Sequence, residues 1–79
     1  MEFPRSSERI ERDYNACLDS VGEIDHVEAI ASADRDEKDI YNVRRNVKHL
    51  EMSALLTDWG DKDLSPLTSA ITRGNAMLP

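Results

Sequence analysis

The sequence predicts an all-α fold, a small bundle of four helices, and three observations carry that prediction. Apolar residues recur at spacings of three and four rather than two. Ser or Asp residues able to cap free amides stand before the apolar runs. Gly22, Gly60 and Gly74 follow three of those runs, where a left-handed C′ residue would close a helix. No strand-like alternation, internal repeat or low-complexity tract competes with this reading.

The first helix is expected over residues 6–21, with Ser6 or Ser7 as cap and Gly22 as stop. Ile10, Tyr14, Cys17, Leu18 and Val21 form its single apolar stripe. A second helix fits residues 25–32, because Asp25 and Glu28 have capping-box spacing and Ile24, Val27, Ile30 and Ala31 supply a buried side. At two turns it depends on packing rather than propensity.

The third helix, residues 34–57, is the longest. Asp34 and Glu37 repeat the capping spacing, and Asp34, Asp36, Glu37 and Asp39 sit where the macrodipole favours negative charge. Ile40, Val43, Val47, Leu50 and Ala54 mark its core side. Past Leu50 the pattern changes: Met52, Leu55, Leu56 and Trp59 fall on the opposite side of the cylinder. A helix that is apolar on two sides has to be covered twice, by its own domain or by another chain. The fourth helix, residues 65–73, opens on Ser65 as N-cap and Pro66 at N1, turns Leu67, Ala70 and Ile71 inward, and closes at Gly74. Residues 1–79 are read as one helical domain, with 1–5 and 75–79 frayed.

Composition narrows the function classes. The chain has 79 residues, and one of them is cysteine, so no disulfide closes within it and no multi-cysteine zinc site is available. No apolar run approaches the roughly 20 residues that span a bilayer, so no membrane partner is expected. The start lacks the basic and apolar regions of a secretory signal, which makes a cytoplasmic location the expectation. A net charge of −6 opposes nucleic-acid binding.

The charge is uneven. Residues 1–33 hold eight acids and three bases, and the remainder holds eight and seven. Arg44, Arg45 and Lys48 form the one basic cluster, beside Tyr41. It reads either as an anion contact with an aromatic platform or as a solvated face paired with the acidic first half, and the overall charge favours the second.

Other candidates for chemistry are weak. Asp58, Asp61 and Asp63 share a loop but lack the ligand series and terminal Glu of a calcium loop. Cys17 lies on an inward stripe, and nothing places His26 or His49 beside it as a base. Leu18-Asp19-Ser20-Val21 resembles the phosphopantetheine site of acyl carrier proteins, but in that family the serine opens the second helix after a long loop. No catalytic residue, cofactor or metal ligand is expected, and the chain is read as a non-enzyme.

The second half carries a further resemblance. Asn46, His49-Leu50, Trp59, Asp63-Leu64-Ser65-Pro66-Leu67 and Ala70-Ile71 together resemble the tail of small uncharacterised helical accessory proteins of tailed phages and prophages. The resemblance covers about a third of the chain and contains no catalytic motif. It implies a virion or assembly accessory role, and a virion location if the protein is phage-encoded. The sequence therefore points to an interaction module with a protein partner, itself or another assembly component, through Met52, Leu55, Leu56 and Trp59. A homo-oligomer is one form this could take. The alternative is a small acidic regulator, antitoxin-like or mimic-like, that neutralises a basic partner.

Overall fold

In a computed structural model, which describes residues 6–55 and 59–79, the chain folds as three helices rather than four. They are α1 (Ser7–Glu28), α2 (Glu37–Ala54) and α3 (Ser65–Met77), with a single 3-10 turn at Ser32–Asp34 between the first two. Each helix packs on both others. The all-α class agrees with the sequence reading; the helix count does not.

The two helices expected over 6–21 and 25–32 are one. Gly22 does not end α1, because the apolar stripe runs through it in phase. Cys17, Ser20, Ile24 and Val27 are all buried, at steps of three and four. Burying Ile24 and Val27 favours a helical Gly22 by roughly 1.5–3 kcal/mol per side chain, against a glycine penalty of about 1 kcal/mol. Ser6 caps the start, its side chain accepting from the Arg9 amide at 3.2 Å. Arg35 caps the end: its guanidinium donates to the carbonyls of Val27, Ile30 and Glu28 at 3.2, 3.0 and 3.3 Å. Three carbonyls at and beyond the helix end are thereby satisfied by one side chain from the following turn.

α2 begins at Glu37, three residues later than expected. Its capping box is Asp36 with Asp39, not Asp34 with Glu37. The Asp39 amide donates to Asp36 at 2.9 Å, and the Asp36 amide donates to Asp39 at 3.1 Å. It stops at Ala54, short of the expected residue 57, with Leu55 as C-cap. Trp59 folds back there and donates its indole N–H to the Ser53 carbonyl at 3.1 Å, closing the last turn.

α3 is longer than expected and differently capped. Leu64 is its N-cap, Ser65 lies inside the helix, and the cap is supplied by Asp63. That carboxylate accepts from the Ser65 amide at 2.9 Å and from the Ser65 hydroxyl at 2.6 Å. The two bonds hold the Asp63 carboxyl below its usual value of 3.8. A folded pKa below the unfolded one adds stability above the unfolded value and loses it as pH falls through the folded value. Asp63→Ala is therefore expected to melt below wild type at neutral pH. The two melting temperatures should converge once the pH drops well under 3.8, as thermal scans across pH 2–7 would report.

Gly74 does not close α3 either. It is buried in the helix interior, where all three helices meet. A Cβ there would stand 2.3 Å from Val47 on α2 and 3.6 Å from Ile24 on α1. Around this point the core is Cys17, Ile24, Val27, Val43, Val47, Leu50, Trp59, Leu67 and Ala70.

Candidate functional site: the outer face of the second helix

α2 turns Val43, Asn46, Val47, Leu50 and Ser53 to the core. Half a turn away lies a continuous exposed row: Tyr41, Arg44, Arg45, Lys48, Met52 and Leu55, at steps of three, one, three, four and three. Its apolar members are well exposed: Tyr41 at 64%, Met52 at 62% and Leu55 at 83%. These are large side chains with no role in the bundle. The three cations between them have no carboxylate within ion-pair distance among the described residues. Among the described residues Arg44, Arg45 and Lys48 thus form no ion pair with the acidic first half.

The four residues expected at an interface separate. Met52 and Leu55 are on this outer row. Trp59 is in the core, 6% exposed, with its ring edge-on to Tyr14 at 6.3 Å and 67°. Leu56 lies outside the described residues, as does Asp58 of the aspartate loop. Burial of the indole leaves a face that is narrower and more basic than the sequence pattern suggested. Leu18, expected inward on α1, is 38% exposed at the rim.

The remaining acids are distributed unevenly. On α1, Asp25 and Glu28 bind Arg73 of α3, the latter at 2.8 Å, and this raises the Arg73 pKa above its ordinary value. Glu11 binds Lys62, whose ammonium also sits 5.2 Å from the Tyr14 ring centroid. The Tyr14 hydroxyl donates to the Asp63 carbonyl at 2.6 Å, tying the loop before α3 to the first turns of α1. Asp19 and Glu23 have no such partner among the described residues. With Leu18, Gly22 and His26 they line a shallow depression on the outside of α1.

One pairing escaped the sequence reading. Ser20 Oγ lies 2.7 Å from His49 Nδ1, linking α1 to α2. The available signal was phase, since Ser20 falls on the same stripe as Cys17, Ile24 and Val27. It is not the nucleophile–base arrangement of a hydrolase. Ser20 is 6% exposed, and both residues sit mid-helix, where backbone amides are engaged in the helix and cannot form an oxyanion hole. Buried mid-helix, Ser20 is also inaccessible to the group transfer that the acyl-carrier resemblance would require. Cys17 is 1% exposed. No set of three or more metal-ligating side chains comes together among the described residues. No described helix is long and apolar enough to cross a membrane.

Comparison of the chain with protein-family models, with curated proteins and with solved structures finds no match.

Proposed function

We propose that the protein is a non-enzymatic helical interaction module that docks another protein on the outer face of α2. The observation that carries this reading is the exposed row in which Tyr41 on one side and Met52 and Leu55 on the other flank Arg44, Arg45 and Lys48. Covering its three apolar members is worth roughly 1.5–3 kcal/mol each, before the cost of ordering them. Arg and Tyr are also residue types that dominate interface energetics. A role as a virion or assembly accessory protein is supported by the resemblance in the second half of the chain.

The test is a photo-crosslinking side chain at position 52, used in the cell that makes the protein, with the exposed position 72 on α3 as control. Covalent adducts at 52 and none at 72 are the expected result. Equal labelling at both positions would sink the reading.

A second reading is favoured by the charge of α1, which carries seven acids and two arginines. On this view the protein is an acidic regulator that neutralises a basic partner through α1. Its partner binding would weaken steeply with salt and survive Leu55→Asp, whereas docking on α2 would not survive that substitution.

A further inference from the structure

We infer that the occupant of the α2 face is the depression around Gly22 on α1 of a second copy of this chain. The inference rests on the α2 docking reading above and adds the identity of the partner.

Three observations point the same way. The first is Gly22 itself. It stands exposed in the middle of a 22-residue helix, where a Cβ would meet nothing within 4 Å. A mid-helix glycine is unfavourable relative to alanine, and no contact among the described residues requires this one. Close approach of another backbone or a long side chain from outside would require it. The second is charge. The carboxylates beside Gly22, Asp19 and Glu23, have no ion-pair partner among the described residues, and neither do Arg44, Arg45 and Lys48 on α2. The two clusters are of opposite sign, acidic on α1 and basic on α2. The third is apolar area on both sides: Leu18 at the rim of the depression, and Met52 and Leu55 beside the cations.

α2 has 18 residues and is roughly 27 Å long, so one helix seated on another covers well under the ~800 Å² per partner of a standard interface. The association is therefore weak, fast to exchange and sensitive to salt. The donor and acceptor faces are different surfaces of one chain. Copies consequently pair by mutual exchange of the two contacts or add head to tail.

The experiment is light scattering of the full chain at protein concentrations up to about 1 mM, in low and high salt. The wild type is expected above its monomer mass of 8.9 kDa at low salt and at that mass in high salt. Gly22→Gln fills the depression and is expected to be monomeric throughout, with a melting temperature equal to or above wild type by circular dichroism. A lowered melting temperature with association intact would mean that Gly22 serves the fold, and would overturn the inference.

Charge exchange supplies the independent arm. Asp19→Lys with Glu23→Lys makes one variant, and Arg44→Glu with Arg45→Glu and Lys48→Glu makes the other. Each alone is expected to be monomeric, and an equimolar mixture is expected to recover the larger species. A mixture that stays monomeric, or a wild type that stays at monomer mass, overturns the proposal. In that case, adducts from position 52 to a protein of different mass would leave the docking reading standing without the self-association.

Discussion

Trp59→Ala is expected to cost about 3–5 kcal/mol, read as a drop in the urea midpoint at unchanged slope. Folded domains of this length hold roughly 4–12 kcal/mol in total, so the variant would stand at or near the edge of unfolding. Two losses combine. The indole is 6% exposed and packs edge-on against Tyr14, so truncation leaves a cavity between α1 and the end of α2. Its N–H also satisfies the Ser53 carbonyl, one of the acceptors left open in the last turn of α2. Trp59→Phe separates the two losses. It keeps most of the apolar body and forfeits the hydrogen bond, for an expected cost of about 1–3 kcal/mol. If Trp59→Ala changes stability by less than about 0.5 kcal/mol yet abolishes association, the indole is an anchor for a partner rather than part of the core.

Gly74→Val is expected to destabilise by about 3 kcal/mol, and Gly74→Ala by less, because alanine recovers up to about 1 kcal/mol of helix propensity. The cause is the approach of α2 to α3: a Cβ at residue 74 would fall 2.3 Å from Val47 Cγ2. Valine in a helix has essentially one χ1 rotamer, so Val47 cannot swing aside, and the helices themselves must separate. Adding Val47→Ala makes room. The pair Gly74→Ala with Val47→Ala should therefore show a favourable coupling of about 1 kcal/mol or more in a double-mutant cycle. Purely additive effects would mean that the two helices do not meet at this point. Gly22 supplies the contrast, since none of the described residues stands near its absent Cβ.

These two glycines also show how far the fold could be read from the chain. Both look like helix stops, because the left-handed C′ position is where glycine is most often favoured. What overrides that local preference is phase. Cys17, Ser20, Ile24 and Val27 keep one stripe across Gly22, and a true stop would have freed the following residues from that register. At Gly74 phase was available too, since Leu67, Ala70 and Gly74 are buried at steps of three and four, but the need for a glycine there is tertiary, a neighbouring helix pressed close. The start of α2 was missed by three residues for a smaller reason. An Asp at N3 can close a capping box as Glu does, so Asp36-Asp39 was available beside Asp34-Glu37. Arg35 is the further clue, because it turns back to cap α1 and so cannot lie inside the next helix.

The candidate site was legible in part for the same reason. Helical periodicity placed Met52 and Leu55 away from the core and put Arg44, Arg45 and Lys48 on one side. It could not place Trp59, which follows the end of the helix, so that the turn of α2 does not set its direction. The asymmetry between paired and unpaired acids on α1 was also invisible. Asp25 and Glu28 find Arg73 some 45 or more residues away, while Asp19 and Glu23, on the same helix, find no ion-pair partner among the described residues.

The 22-residue α1 has a hydrodynamic consequence. The particle measures 49 × 19 × 18 Å, with a radius of gyration of 13.9 Å against about 12 Å for a compact chain of this length. Such a rod tumbles faster about its long axis than across it and meets more friction than a sphere of equal mass. On a sizing column a single copy would elute somewhat earlier than a sphere of equal mass. Ratios of nuclear relaxation rates would depend on whether an amide bond points along the rod or across it. Side-by-side pairing would thicken the particle and reduce that anisotropy, and end-to-end addition would increase it, so tumbling would distinguish two assemblies of identical mass.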